Sequence, residues 1–237
     1  MLGFFVANNQ MSSDFNVYLS DAGVYGVAER DVEAVSIPGK SGDLIMDNGR
    51  YKNTKISYPC IIIDNFDTNF SALINFLVTQ EGYFRLEDSF HPEYFMYARY
   101  AGGTEPKSVV NEGTWGKFIL EFDRKPQKYL VEGEDVITIT ANTSILSNSD
   151  QVAKPLIRAY GTGSFSIGGV NVQITSANSY TDIDCDLQEC YKDTLATNCN
   201  GNVILTNGKF PELVLGANSI TLSGITRLDI TPRWWKL

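Results

Sequence analysis

Short runs in which apolar and polar residues alternate, rich in Val, Ile, Thr, Phe and Tyr, fill most of this chain and are cut by Gly, Asn or Asp. A period of two puts the apolar set on one face of an extended strand, so the chain is expected to fold as half-buried antiparallel sheet. Lys55–Tyr58 followed by Cys60–Ile63, Lys117–Phe122, Asp135–Thr140 and Asn202–Thr206 are the plainest runs. Phe165 and Ile167, then Gly168-Gly169, then Val170, Val172 and Ile174 predict a hairpin, because glycine takes the positive φ that a two-residue turn requires at both positions. Asp47-Asn48-Gly49 predicts a second tight turn between Asp43–Met46 and Arg50–Asn53. The side chains of that second hairpin are half polar, as expected of an arm that projects beyond the core until a partner covers it.

One segment departs from this period. Between Phe66 and Gly82, apolar residues fall at Phe70, Leu73, Ile74, Leu77 and Val78, the stripe of an amphipathic helix. Asp67 or Thr68 is the expected cap, and Gly82 the expected stop. The helix is too short to hold by propensity alone, so it should lie on a sheet. Asp123–Glu134, with a Pro, a Gly and a dense charge run between two strand patterns, marks the expected boundary. The predicted organisation is mainly β: residues 1–130 form a sandwich- or barrel-like domain with one helix and the arm, and residues 131–237 form a second, nearly pure β domain.

With 19 Lys and Arg against 28 Asp and Glu, the 237 residues carry a net charge of −9. The deficit is even: 12 basic against 17 acidic side chains up to Leu130, and 7 against 11 after it. No basic half is available to hold a phosphate backbone. The stretch Met1–Ala7 has no basic flank and too short an apolar run for a signal or a membrane span, so no membrane insertion is expected. Cys60, Cys185, Cys190 and Cys199 are too few for a disulfide scaffold of this size. The spacing of the last three lacks the close pair of a zinc site, so neither metal nor cofactor is expected.

Signals for catalysis are sparse. The one histidine, His91, stands before Pro92 with no nucleophile motif around it and reads as a surface or packing residue. Gly39-Lys40-Ser41 resembles the end of a phosphate-binding loop, but the glycine needed five residues earlier is Ala34. A strand-like run follows instead of a helix. Asp182, Asp184 and Asp186 share one face of a strand, about 6.6–7 Å apart. That spacing suits an inverting glycosidase or a calcium site, yet no Lys or Arg partner is evident nearby, and a solvated face is the expectation. Trp234 and Trp235 point to opposite faces, so one can be core while the other meets a sugar or a neighbouring subunit. No catalytic residue is assigned.

Seven short stretches, in order along nearly the whole length, resemble the distal tail proteins (Dit) of long-tailed, siphovirus-type phages and prophages. They are Ser12–Phe15, Ile37–Asp43 running into Asp47–Asn53, Phe122–Gln127, Pro155–Gly161, Leu187–Tyr191, Phe210–Leu213 and Ile230–Trp234. The resemblance implies a ring-forming N-terminal domain followed by a galectin-like β-sandwich. It implies six copies in a ring, or stacked rings, at the virion tail tip or baseplate, assembled in the host bacterial cytoplasm. Such a ring joins the tail tube to the tail-associated hub and the receptor-binding or adsorption proteins, and DNA passes through its channel without specific binding. On this likeness the arm residues Lys40, Asp43, Ile45, Asp47, Asn48, Arg50 and Tyr51 meet a neighbouring subunit. The alternative is a carbohydrate-binding module for the host cell wall, with Trp234 or Trp235 as its platform. The cysteine stretch from Cys185 to Cys199 departs from the family pattern.

Overall fold

In the computed structural model, which describes residues 2–103, 108–110, 114–177 and 179–237, the strand Thr54–Ile62 shows the alternation at its clearest. Thr54, Ile56, Tyr58, Cys60 and Ile62 are buried, and the residues between them face outward. This strand pairs along its whole length with Trp115–Arg124, Cys60 opposite Phe118 and Ile56 opposite Phe122. The expected runs at 55–58 and 60–63 are therefore one strand with Pro59 inside it. The Pro59 carbonyl accepts from the Ser20 amide on the other side of the strand, so the missing proline N–H also points there. On that side the neighbour is interrupted between Val17–Leu19 and Val24–Tyr25, so the proline costs only the return bond to Ser20 at the point where the pairing stops.

The chain divides into two compact units, Met1–Lys128 and Tyr129–Lys236, with Leu237 grouped with the first. In the first unit one antiparallel path runs through Gln10–Met11, Phe5–Ala7, Phe84–Asp88, Tyr94–Gly103, Trp115–Arg124, Thr54–Ile62 and Val17–Leu19. Its two sides meet where Gly3 and Leu19 exchange backbone hydrogen bonds of 2.9 and 2.8 Å. The sheet thereby closes on itself, the barrel-like outcome expected of the first domain. A closed sheet hides its edges and turns every second residue inward. Phe5, Val17, Leu19, Ile56, Tyr58, Leu86, Met96, Leu120 and Phe122 fill the interior. Each large apolar side chain covered in this way contributes about 1.5–3 kcal/mol.

The helix runs Phe66–Val78 and buries Phe66, Leu73 and Leu77 in the same core. Two expectations need correction. Val78 is 63% exposed, because the buried stripe ends at Leu77 and Val78 turns off it toward solvent. The cap is Asn65 in the left-handed conformation, φ 50°, with no capping side chain, and not Asp67 or Thr68. Three residues, Ile63–Asn65, must turn the chain from strand to helix, and asparagine tolerates that conformation. The turn drives the Phe66 ring into the core beside Phe118 and Phe70, at 6.0 and 5.5 Å. Gly82, φ 68°, lies beyond the helix end and turns the chain into Phe84–Asp88.

The second unit contains two antiparallel sheets. The six-stranded sheet is ordered Ile137–Ile139, Arg227–Thr231, Leu156–Tyr160, Tyr180–Asp184, Glu189–Lys192, Thr194–Asn198. The five-stranded sheet is ordered Thr143–Leu146, Ala217–Ser223, Gly163–Ile167, Val170–Ile174, Val203–Leu205. Ile157, Ala159, Ile183, Leu228 and Ile230 of the first, with Phe165, Ile167, Val172, Ile174 and Ile220 of the second, are buried. Two sheets each hiding one face is the sandwich arrangement. The Gly168-Gly169 hairpin forms as expected, with φ of 56° and 85° and Ile167 opposite Val170. The predicted boundary segment is ordered, a strand at Lys128–Leu130 followed by a 3-10 turn at Val131–Glu134.

Candidate functional site

The arm is present, built differently from the sequence expectation. Arg30–Val35 and Leu44–Tyr51 form a two-stranded sheet of their own, with Val35 opposite Leu44 and Val32 opposite Asp47. The hairpin loop is 36–43, where Gly39 and Gly42 take φ of 81° and 84°. Asp47-Asn48-Gly49 is not a turn. It lies inside the second strand, where two steps of one strand, Arg30 to Val32, face four of the other, Tyr51 to Asp47. Gly49, φ 72°, with its amide bonded to the Asp47 carboxylate at 2.8 Å, forms the bulge. The same Asx-Gly chemistry serves turns and bulges, so local sequence alone does not separate them.

The predicted arm residues fall as follows. Lys40 and Asp43 lie on the exposed loop, Ile45 is exposed on the strand, and Asn48 is exposed at the bulge. Asp47 faces Arg30 at 3.6 Å, Arg50 donates to Asp31 at 2.7 Å, and Tyr51 lies beneath the Arg30 guanidinium at 4.9 Å. The Arg50 hydrogen bond holds the Asp31 carboxyl below its usual range. The sequence reading missed the first strand and with it Val32 and Val35, each exposed by more than a third, as is Ile37 on the loop. Across from them Leu44, Ile45 and Met46 are all about half exposed. Neighbouring strand residues point to opposite faces, so both faces of the arm carry uncovered apolar side chains. A lone two-stranded ribbon of this kind is marginal in water.

The foot of the arm is fixed. The Lys52 amide donates to the Glu29 carbonyl at 2.9 Å, and the Gly26 amide to the Lys55 carbonyl at 2.8 Å. Arg124, only 2% exposed, donates through Nη2 to the Gly26 carbonyl at 3.2 Å and through Nη1 to Lys125 and Pro126 carbonyls. Burial pulls its guanidinium down from its ordinary value. Beside it Asp88, fully covered, accepts from the hydroxyls of Tyr58, at 2.8 Å, and Tyr25 and from the amides of Phe90 and His91. Burial, and after it the Asp88 charge, pushes both tyrosine hydroxyls up. His91 closes this cluster, with Nδ1 3.2 Å from the Asp88 carboxylate and its ring stacked on Tyr94. It is a packed, hydrogen-bonded histidine, and no serine or cysteine stands among its bonded partners.

The acidic strand is a correction. Asp182 and Asp184 are each 2% exposed, not solvated, and each is gripped by an arginine. Arg158 donates to the two Asp182 oxygens at 2.6 and 2.9 Å, and Arg233 to those of Asp184 at 2.7 and 2.8 Å. Only Asp186 is exposed, 3.7 Å from Lys154. Arg158 is the directly opposite residue on the next strand, so the partner is cross-strand and remote in sequence. Burial alone would raise the Asp184 carboxyl, but Arg233 and the amides of Leu187 and Asp186 outweigh it and hold it low. A general acid needs the opposite shift. A shallow cleft of about 240 Å³ lies here, lined by Val136, Leu156, Arg158, Asp182, Asp229 and Thr231. Its carboxylates are already occupied: Asp229 is bonded by Arg227, Thr138 and Tyr160.

Trp234 is 7% exposed and offers no stacking face, so the platform reading fails for it. Trp235 is half-buried, its indole N–H donating to the Val152 carbonyl at 3.0 Å. Among the described residues no three His, Cys, Asp or Glu are grouped to hold a metal ion, and no helix is long and apolar enough to cross a membrane.

Neither a family model nor a curated protein matches the sequence. Solved structures do match the fold. The SPP1 Dit (gp 19.1) protein, described as a paradigm of hub adsorption apparatus in Gram-positive infecting phages, superposes with a TM-score of 0.73 at 17% identity, over 97% of this chain and 98% of that one. A chain of the phage p2 baseplate in its activated conformation superposes with a TM-score of 0.51 at 10% identity, over 97% of both chains. The chain shares the fold of these phage tail components from end to end.

Proposed function

We propose that this chain is a distal tail protein of a siphovirus-type phage or prophage, a structural subunit whose copies close into a ring at the tail tip. The ring, a hexamer or a stacked pair of hexamers, joins the tail tube to the tail-associated hub and the adsorption proteins and leaves a channel for DNA. The observation that carries this reading is the arm. It holds apolar side chains uncovered on both faces, on a foot clamped by buried Arg124, in a chain whose whole length follows the SPP1 Dit fold. A rigidly rooted ribbon that cannot satisfy itself is built to lie on another copy.

A head-to-tail contact of arm on neighbour closes into a ring when its rotation divides the circle, and the two ends of that ring present different surfaces to tube and hub. The net charge of −9 suits a channel wall that must release DNA. Arm residues Lys40, Asp43, Ile45, Asp47, Asn48, Arg50 and Tyr51 form the interface, joined by Val32, Val35, Leu44 and Met46. Negative-stain electron microscopy of the purified chain tests the assembly. Closed rings with an open centre are expected, and dispersed single subunits or unclosed filaments would contradict it.

A further inference from the structure

Cys190, on the strand Glu189–Lys192, and Cys199, one residue past the end of the neighbouring strand Thr194–Asn198, are directly opposed. Tyr191 pairs with Asn198, and the Cys199 amide continues that register with a 2.7 Å bond to the Cys190 carbonyl. Directly opposite residues of an antiparallel pair lie about 5.5 Å apart at Cα when hydrogen-bonded, and they share a face of the sheet. A disulfide needs about 4.4–6.8 Å between Cα atoms. Cys190 is buried on the inner face, and Cys199 is partly open to solvent. Ile183, and not the third thiol Cys185, is the residue opposite Cys190. Cys185 lies in the turn after Tyr180–Asp184, where burial pushes its thiol up and the Cys190 neighbour adds to this, so the cross-link map must tell the two pairings apart. Both thiols are free, and the amide of Cys190 is held by the Asn200 side chain at 2.6 Å, which keeps this corner in place.

We infer that Cys190 and Cys199 are a redox pair, closing to an intramolecular disulfide when the protein meets a small-molecule disulfide. The Cys199 thiolate attacks one sulfur of oxidised glutathione, the glutathione S–S bond breaks, and one glutathione thiolate leaves. Cys190 then gives its proton to solvent, its sulfur attacks the Cys199 sulfur of the mixed disulfide, and the second glutathione leaves. Two protein thiols are oxidised and one small disulfide is reduced to two thiols. Burial, and after it the Cys199 neighbour, pushes the Cys190 thiol up to about 12, so its deprotonation limits closure and the rate rises with pH. The bond ties Thr194–Asn198, an edge strand exposed along its whole length, to the sheet. Such an edge is where a sheet frays or pairs with another chain.

The test is to incubate the full chain with oxidised glutathione at about pH 8, where thiol exchange proceeds, and to map non-reduced peptides by tandem mass spectrometry. A Cys190–Cys199 cross-link, reversed by dithiothreitol, is expected, with amide exchange of Thr194–Asn198 slowed by about tenfold or more. Cys190→Ser should trap a stable glutathione adduct on Cys199, and the surface change Cys199→Ser should leave Cys190 unmodified. A cross-link to Cys185, links between chains only, an unresolved adduct on Cys199 of the parent protein, or unchanged exchange after oxidation would each overturn the inference.

Discussion

Excision of Arg30–Tyr51, with Glu29 joined to Lys52 through two glycines, is expected to leave a folded subunit that no longer assembles. The Lys52 amide already bonds the Glu29 carbonyl, so the short link spans the foot without strain. None of the residues 30–51 belongs to the buried core of the first unit, and the two strands pair only with each other. Stability of the isolated subunit should therefore change by no more than about 0.5 kcal/mol, as for surface changes generally. Assembly should be lost altogether, because Val32, Leu44, Ile45 and Met46 supply apolar area that only a second molecule can cover. Both strands must go. Removing 43–53 alone would strand Arg30–Val35 without its partner and cut into the foot. Circular dichroism and sedimentation of the excised chain decide the matter, and loss of folding would mean that the arm is part of the core.

The second large effect concerns the acidic strand. Asp184→Asn keeps an oxygen for the amides of Asp186 and Leu187 but removes the charge that faces Arg233, leaving a half-buried guanidinium without its partner. Breaking one side of a buried pair costs about 3–5 kcal/mol, and the partial solvent contact of Arg233 puts this case near the low end. A melting transition of the second unit lower by on the order of 10 °C is expected. Asp186→Asn, on the exposed member of the trio, should shift it little. The pH dependence follows from the same carboxyl. Its folded pKa lies below its unfolded value, so the stabilisation is fully present above about pH 4 and is lost as the pH falls through the folded value. Between about pH 5 and 2 the parent protein should lose stability more steeply than Asp184→Asn. Equal slopes in acid titrations followed by fluorescence would contradict the assignment.

The parts of the fold that sequence shows are those whose cause is local. Thr54–Ile62 alternates because every second residue enters the barrel, Gly168-Gly169 turns because both φ values are positive, and the helical stripe at Phe70–Leu77 has its own period. What stays hidden depends on partners distant in the chain. Asp182 and Asp184 look solvated until a cross-strand Arg158 and a C-terminal Arg233, 24 and 49 residues away, come alongside. Arg30–Val35 mixes three charged residues with Val and Ala without strict alternation and packs on no core, so its strand signal resembles a polar loop. Asp47–Gly49 carries turn chemistry that the longer loop beyond it turns into a bulge. Which of Trp234 and Trp235 is covered is not local either: only Trp235 lies on the last strand, and Trp234, just before it, is the buried one. An exposed arm in this stretch is legible from its half-polar pattern, but the two strands expected about Asp47–Gly49 are one strand, Leu44–Tyr51, whose partner Arg30–Val35 is not legible.

The most direct test of the ring is the mass of the purified full chain in solution, by light scattering coupled to size exclusion across a range of concentrations. A mass of six subunits, or twelve for stacked rings, is the expected result. A single subunit at every concentration, micromolar and above, would contradict it.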